Sequence, residues 1–599
     1  MTQQSGQEQR AFLAIILAMG VLLVWNFLFP PGKPPVEQPG DQPTEQHVTE
    51  LESSPTSESG QASGPAAGVD TAGDAGRILG LSTGSTELSS TAPVERRRVE
   101  VSTPDLALSF DSRGARVTAA TLPEFEGPED GPVQVLPPDG PGALGTVIMH
   151  GDRTLPLDGF DFALVSDEHS PAGRRLVFQL DLDQASIRKT FTVPDSGHVL
   201  QVEQEILNDR LGVQAWGVSW ASGMQVTEEI HGNSRGPYFG AVVFAEGEVQ
   251  RKTPNQATKG PIEFPGACRY LGIENKYFLG AIVPRGDAQG PVRLWRVTPT
   301  DEQHASLAGE ILVDRSSALA SDHAAYDVYL GPLDYGKLKA LNLGIEGAVD
   351  LGARWIRPLS RVILSLITGL HKVIPNYGVV IILFALFMNA LFFPLTWKST
   401  KSMRDMSALK PRLDALREKY ADEPQKLSEA TMKLYKEAGV NPLAGCLPLF
   451  IQMPIFFALY AVLMRTIELR QEPFILWIRD LSQPDVIFTL PFALPLIGTG
   501  ICLLPIIMGV TSYFQSKQTM VDPNQRAMLV MMPVMMTFIF FTMPSGLVLY
   551  WLTSNVFQIV SKNFMKPSAV AEAIAEAPLE VAPKKGGGAK RRAKAAARG

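Results

Sequence analysis

Cysteine is scarce in this chain of 599 residues, which contains only Cys268, Cys446 and Cys502. The three lie far apart, and the last two fall inside apolar runs. Disulfide frameworks and cysteine-rich metal sites need several cysteines at short spacings. The sequence therefore excludes both, and packing alone has to stabilise the fold.

Two standard catalytic signatures are also missing. The chain has no H-E-x-x-H string and no G-x-x-x-x-G-K-[ST] string, which mark zinc proteases and phosphate-binding loops. His150, His169 and His198 have no metal-ligand spacing, so we interpret them as ordinary surface or turn histidines. We predict that the protein is not an enzyme and uses no metal or other cofactor.

Charge is low, and the apolar residues are concentrated in runs. Only 19% of the residues are charged and the formal net charge is -7, which argues against a general nucleic-acid binder. Apolar runs long enough to cross a bilayer, about 20 residues each, occur once at the N-terminus and several times between Tyr377 and Val560. A purely soluble enzyme is excluded.

The N-terminal run, Ala11 to Phe29, is followed by Pro30-Pro31-Gly32 rather than by a small-residue cleavage site. Residues 1–30 are predicted to form an uncleaved signal anchor with its N-terminus inside, the alternative being a cleaved signal peptide. Residues 31–95 contain no Phe, Trp or Tyr. They are predicted to be a disordered linker on the outer side of the membrane.

Residues 96–345 consist of short β-favouring runs of alternating polarity between Pro, Gly and Asp turns. This texture predicts a large antiparallel β-sandwich. Residues 346–375 contain an amphipathic helix that either lies in the membrane interface or packs on the β domain. Its predicted apolar face comprises Trp355, Leu359, Val362, Leu366 and Leu370.

Residues 376–563 are predicted to form a helical membrane core. The five spans are Tyr377 to Thr396, Leu443 to Met464, Gly498 to Ser516, Met528 to Met543 and Gly546 to Val560, with an interfacial lead-in from Phe488 to Leu496. With the anchor they give six transmembrane helices and two cytoplasmic termini. Lys and Arg are concentrated in residues 397–442, which places that segment in the cytoplasm.

The cytoplasmic segment 397–442 is predicted to form a helical hairpin. Its two helices are predicted at Ser402 to Tyr420 and Gln425 to Ala438. The expected contacts join Leu409, Leu413 and Leu416 to Met432, Leu434 and Tyr435. Such a hairpin is either a solvated structural element or a docking surface.

No Asp, Glu, His, Lys or Arg lies inside the predicted spans, which argues against an ion pump, a proton-coupled carrier or an intramembrane protease. The spans do contain uncharged polar residues, which either join helices or together line a wet cavity. A transporter or channel and an assembly scaffold remain alternatives. The polar residues are Asn389, Thr396, Gln452, Thr511, Ser512, Gln515, Thr537, Trp551, Ser554, Asn555 and Gln558.

Three sequence motifs are more informative than the composition. NPLAGCLPLFIQMPIF at residues 441–456, FPLT at 393–396 and PSGLVLYW at 544–551 closely resemble the core motifs of the YidC/Oxa/Alb family of membrane protein insertases. Their order and spacing match the family from about Trp355 to Phe564. The anchor, linker and β-rich domain are similar to its Gram-negative, YidC form.

The resemblance implies insertion and folding of nascent membrane proteins in the bacterial inner membrane, alone or beside the Sec translocon. It implies a five-helix core around a hydrophilic groove, a large periplasmic domain, and a cytoplasmic hairpin that receives substrate. The implied groove residues are Asn389, Gln452, Tyr550, Trp551 and Ser554, and the implied apolar slide for substrate helices is Met453, Pro454, Phe457, Met535 and Phe538.

Two features concern charge. The family commonly has Arg where this chain has Asn389, and Asn can only hydrogen-bond, so a weaker preference for acidic translocated tails is expected. The cytoplasmic tail, residues 564–599, is basic and predicted to be disordered, and it contacts either anionic lipid or the ribosome. Its basic residues are Lys584, Lys585, Lys590, Arg591, Arg592, Lys594 and Arg598.

Overall fold

A computed structural model gives the fold of this chain. It describes residues 90, 94–128, 131–150, 153–228, 238–286, 290–298, 305–314, 322–421, 423–440, 447–494, 497–518 and 526–563. The predicted anchor, almost all of the linker and the basic tail with Lys584, Lys585, Lys590, Arg591, Arg592 and Lys594 lie outside the described residues.

The β-favouring runs form two antiparallel sheets, which confirms the predicted sandwich. The first sheet has ten strands in the order β1-β2-β3-β5-β11-β18-β17-β14, with β4 beside β3 and β6 beside β5. Its strands are β1 Arg98–Ser102, β2 Ala107–Asp111, β3 Arg116–Glu126, β4 Pro132–Gln134, β5 Ala143–His150, β6 Arg153–Pro156, β11 Ala215–Trp220, β14 Ile262–Cys268, β17 Gly290–Val297 and β18 Ser306–Asp314.

The second sheet has nine strands in the order β13-β12-β15-β16-β19-β10-β9-β8-β7. Its strands are β7 Ala163–Ser170, β8 Gly173–Asp181, β9 Ser186–Val193, β10 Val199–Leu207, β12 Phe239–Ala245, β13 Glu248–Lys252, β15 Tyr270–Asn275, β16 Phe278–Pro284 and β19 His323–Pro332. A two-stranded hairpin, β20 Val486–Leu494 with β21 Gly498–Cys502, lies farther along the chain.

A period of two residues fixes the register in the second sheet. Along β10 every second residue is buried, and Val202 pairs with Phe191 on one neighbouring strand and with Tyr326 on the other. A shift of one residue would turn this apolar set toward solvent. The buried face meets the first sheet in one continuous core that includes Trp216 and Trp220.

Lys189 of β9 is buried inside this core. Its ammonium group donates to the carbonyl of Leu144 and to Oγ1 of Thr146 (3.1 Å), both in the opposite sheet. Burial lowers the pKa of Lys189 to about 7, although the nearby carboxyl group of Asp158 raises it. The two sheets are therefore joined by an amine that loses its proton near neutrality.

Nine helices are described after the sandwich strands. The structure gives α1 Tyr335–Ala340, α2 Arg357–His371, α3 Tyr377–Ala408, α4 Lys410–Lys419, α5 Pro424–Glu437, α6 Leu447–Arg465, α7 Leu503–Lys517, α8 Arg526–Phe540 and α9 Ser545–Asn563. Short 3-10 turns occupy Pro254–Ala257, Glu346–Ala348 and Ile467–Leu469. Among the described residues, α3 alone is long and apolar enough to cross a bilayer by length and composition.

Helix α2 differs from its prediction in how it is anchored. The predicted apolar face is open, with Trp355 66% and Val362 55% exposed. A second apolar strip, Ile363, Leu364 and Ile367, is buried as the helix packs on α6. The prediction missed this strip because its apolar residues stand directly beside those of the predicted face in the sequence, and spacing alone does not decide which of them are buried.

Helix α3 continues to Ala408, so residues 397–408 do not open the hairpin and Ser402 does not begin its first helix. Pro394 lies inside α3 without ending it, which is common in membrane helices although proline removes one backbone donor. The helices of the hairpin are α4 and α5.

The hairpin is held by a small apolar cluster. Leu409 and Leu413 contact Leu434 as predicted, and Leu416 and Tyr435 pack at the edge. Met432 was predicted among the contacts but is 59% exposed. The positions of α5 that face α4 recur once per helical turn. Met432 lies between them, on the side of α5 that faces away from α4.

Gly498 to Cys502 was predicted as the start of a span but forms strand β21. The helix begins at Leu503, where Oδ2 of Asp485 accepts from the backbone N–H groups of Leu503 (3.1 Å) and Leu504 (2.7 Å). This carboxylate satisfies the first free donors of α7. Because this capping side chain is distant in sequence, the residues around Leu503 do not indicate where the helix begins.

The loop after α6 is fixed to the sandwich by Arg470. Its guanidinium pairs with the carboxylate of Glu228 (2.7 Å) and donates to the carbonyls of Glu126 (2.6 Å) and Thr227 (3.2 Å). The side chain is buried. A buried charge of this kind is tolerated only when its partners are in place, so the sandwich and the helical core share one junction.

We expect Lys189→Met to remove a pH dependence of the sandwich. The folded pKa of about 7 lies below the ordinary 10.5, so folding releases a proton between these values, and stability rises with pH over the same window, from about pH 7 to about pH 10.5. Thermal unfolding of the full chain in detergent at several pH values measures this rise. Lys259→Met, at an exposed position, is the matched control. Parallel profiles of the Lys189 variant and the control would contradict the expectation.

Candidate functional site

Helix α9 carries polar residues toward three neighbouring helices. Tyr550, Ser554 and Asn555 are almost completely buried, at 1%, 5% and 2% exposure. Residues three and four apart lie on the same side of a helix, so these side chains and Gln558 form one polar strip. The helix packs against α3, α6 and α7.

The contact with α3 is a hydrogen bond from Nδ2 of Asn389 to Oγ of Ser554 (3.0 Å). Nδ2 of Asn389 also donates to the carbonyl of Ala385 (2.8 Å), one turn earlier in its own helix. Asn389 is half-buried. The structure thus brings together two of the implied groove residues, one on α3 and the other on α9, which are far apart in the sequence.

The contact with α6 joins two more of them. Nε2 of Gln452 donates to the hydroxyl oxygen of Tyr550 (2.8 Å). The ring of Tyr550 packs near Phe384 of α3, with 6.2 Å between centroids. Tyr550 therefore occupies the meeting point of three helices.

The contact with α7 uses residues outside the implied set. Nδ2 of Asn555 donates to Oγ of Ser512 (2.8 Å) and to Oγ1 of Thr511 (3.3 Å). Nε2 of Gln515 donates to Oε1 of Gln558 (2.6 Å). The sequence signal for these four residues was their polarity within apolar runs, but the family motifs do not include them.

Trp551 lies in an aromatic cluster rather than in the polar strip. Its ring is 5.4 Å from that of Phe456 on α6 and 5.4 Å from that of Phe540 on α8. Of the implied slide residues, Met453, Pro454 and Phe457 are half-buried on α6, Met535 is half-buried on α8, and Phe538 on α8 is 38% exposed. The cluster joins the two helices that carry the slide.

Helices α7 and α8 approach closely at Gly509. A side chain there would meet Oγ1 of Thr537, because a Cβ atom would lie only 2.0 Å away. Oγ1 of Thr537 donates to the carbonyl of Pro533 within α8 (2.9 Å). Small residues at such crossings are typical of membrane helix packing.

The chemistry of the site is hydrogen bonding. Among the described residues of the predicted spans, no side chain is a carboxylate, a histidine, a lysine or an arginine. Amides and hydroxyls both donate and accept, so they match backbone and side-chain groups of another chain. The arrangement therefore offers hydrogen-bond donors and acceptors and no fixed charge.

Two family models match the chain. The model described as 60Kd inner membrane protein covers residues 369–572, and that described as YidC periplasmic domain covers residues 98–366. A Pelobacter propionicus protein named membrane protein insertase YidC is 33% identical over 571 residues, which is 93% of this chain and 99% of that protein. A Chlorobaculum tepidum protein of the same name is 32% identical over 510 residues, 81% and 84% of the two chains.

Among solved structures, an active YidC insertase with its first transmembrane domain resolved is 20% identical to this chain. The superposition has a TM-score of 0.36 and covers 80% of this chain and 95% of the other.

The bond between Gln452 and Tyr550 is expected to couple α6 to α9. We expect Gln452→Leu and Tyr550→Phe each to destabilise the core by about 1 kcal/mol, with a coupling of about 0.6 kcal/mol in the double variant. Unfolding in bicelles measures all four proteins. Thr553→Val is the matched control, because Oγ1 of Thr553 bonds only to the carbonyl of Leu549 in its own helix (2.8 Å). Strict additivity of the two changes would refute the coupling.

Proposed function

Since this chain belongs to the YidC family of membrane protein insertases, we propose that polar segments of its substrates pass along the polar strip of α9. The function of the protein is membrane protein insertion, and it acts in the inner membrane with its sandwich domain in the periplasm. The hydrogen bonds from α9 to α3, α6 and α7 support the groove most directly.

The physical problem is the polar part of the substrate. Each unsatisfied polar group in hydrocarbon costs several kcal/mol, so a hydrophilic segment does not cross unaided. Asn389, Gln452 and Ser554 offer donors and acceptors at the depth where water is absent. An arriving segment exchanges its hydrogen bonds for these, while its apolar helix leaves sideways along Met453, Phe457 and Met535.

The short helices α7 and α8 assist this path. Each has 15 residues, which at 1.5 Å per residue is about 22 Å, less than the 30 Å of a typical hydrocarbon core. A bilayer thins around short spans. The proposed topology has six crossings with both termini in the cytoplasm, and the hairpin of α4 and α5 receives substrate there.

The proposed partners follow from the same family and from charge. They are nascent membrane proteins, the Sec translocon for part of the work, and the ribosome and anionic lipid at the basic tail. Folding assistance beside insertion is part of the proposal. A transporter remains the alternative function, which a solute-flux measurement on the reconstituted protein distinguishes from insertion.

Reconstitution tests the groove. Liposomes containing only this chain should protect a small two-span substrate from protease when it is synthesised in their presence. We expect Gln452→Lys to reduce protection at least tenfold, because an unpaired charge in the core is costly. Gln250→Lys, the same change on strand β13 of the sandwich, should leave protection unchanged. Equal protection by both variants would remove the groove from the mechanism.

Substitutions at Asn389 test whether the charge of the substrate affects its insertion. Asn389→Arg should raise insertion of a substrate with an acidic translocated tail several-fold, because a fixed positive charge attracts carboxylates, and should leave a neutral-tailed substrate unaffected. Asn389→Gln keeps the amide and controls for size. If the acidic and neutral substrates respond alike to Asn389→Arg, charge at this position does not select tails.

A further inference from the structure

Three potential metal ligands meet at one end of the sandwich. Asp105 lies in the turn between β1 and β2, Glu124 lies on β3, and His198 immediately precedes β10. Their ligand atoms all lie within 4.8 Å of one another. Strands β1 to β3 belong to the first sheet and β10 to the second, so the cluster joins the two sheets.

His198 is held firmly and faces the cluster. Its side chain is 9% exposed, and its ring meets the ring of Tyr329 edge-on, with 6.1 Å between centroids. The absence of a side chain at Gly331 leaves it room, because a Cβ atom there would lie 2.8 Å from Cγ of His198. Nδ1 has no hydrogen-bond partner among the described residues. Nε2 is 3.8 Å from Oε2 of Glu124, beyond hydrogen-bonding distance.

The two carboxylates suit a cation beside this ring. Oδ2 of Asp105 accepts from the backbone N–H of Gly197 (2.6 Å), which orients the group and leaves its second oxygen available. Glu124 is 46% exposed and adjusts easily. A fixed histidine with one oriented and one flexible carboxylate is a common ligand set.

The spacing agrees with zinc. Zinc lies about 2.0 to 2.2 Å from nitrogen and oxygen ligands, so tetrahedral ligand atoms are about 3.4 Å apart. The observed separations need a contraction of at most about 1.4 Å, which the exposed side chain of Glu124 provides. Mixed imidazole and carboxylate donors favour zinc over calcium or magnesium.

In this structure a lysine supplies the positive charge beside the carboxylate of Glu124. Nζ of Lys337 is 3.4 Å from Oε1 of Glu124, and its side chain is 46% exposed. Such an exposed ion pair is weak. Lys337 is therefore a competitor that a metal ion displaces into solvent, not a ligand.

We propose that Asp105, Glu124 and His198 bind one zinc-like divalent ion, with water at the fourth position, and that this ion ties the two sheets together. The site lies in the sandwich, so its occupancy does not depend on the polar strip of α9. Its role is structural.

Calorimetric titration of the full chain with Zn²⁺ tests the proposal. The protein is purified in detergent with a tag free of histidine and is treated with a chelator first. We expect one ion to bind and to raise the thermal midpoint of unfolding, since a ligand that binds only the folded state stabilises it. His198→Gln and Glu124→Gln should each abolish binding. The second is at an exposed position and leaves the core intact.

Two further variants distinguish a built site from adventitious binding. Lys337→Met should tighten zinc binding by up to about fivefold, because it removes the competing ion pair. His169→Gln should change nothing, although His169 also lies near a carboxylate, that of Asp195 (3.5 Å), at an exposed position. No binding at micromolar zinc, or equal binding by the native chain and the His198 and Glu124 variants, would overturn the proposal.

Discussion

Polar side chains buried among apolar helices have to satisfy one another, and this constraint organises the core of the protein. Helix α9 meets it with Ser554, Tyr550 and Asn555, each paired with a different neighbouring helix. Where no water competes, an unmade hydrogen bond is expensive. The three pairs therefore fix the rotation of α9 relative to α3, α6 and α7, which apolar packing alone leaves loosely specified.

The outer end of the core is fixed by a different interaction. Arg470 is buried between the loop after α6 and the sandwich, with Glu228 as its ion-pair partner. Loss of either partner would leave a buried charge, a change of several kcal/mol. The end of the core beside the periplasmic domain is thus tied to that domain, while the other end continues into the hairpin of α4 and α5.

Sequence patterns predicted the elements in which polarity repeats along the chain. They failed where a single contact between residues distant in sequence determines the local structure. Alternating polarity along β10 predicted the sandwich. The start of α7 was wrong because Asp485, 18 residues earlier, caps it. The end of α3 was wrong because the polar residues after Thr396 continue the same helix as far as Ala408. The histidine interpretation stays a prediction: it considered spacing along the chain, whereas His198 meets Asp105 and Glu124 only through the fold. The groove residues came from motifs, and the polar pairs between α9 and α7 did not.

The polar strip also suggests how a resting insertase avoids an open pore. Its amides and hydroxyls are already paired with one another, as in Gln452 with Tyr550 and Gln515 with Gln558. In the proposed mechanism, a substrate does not have to fill an empty cavity. It replaces a bond between two helices of the core with bonds to itself, so the number of hydrogen bonds stays nearly constant. With Asn389 in place of a charge, this exchange is neutral, and it depends on hydrogen-bonding capacity rather than on the sign of the substrate's charge.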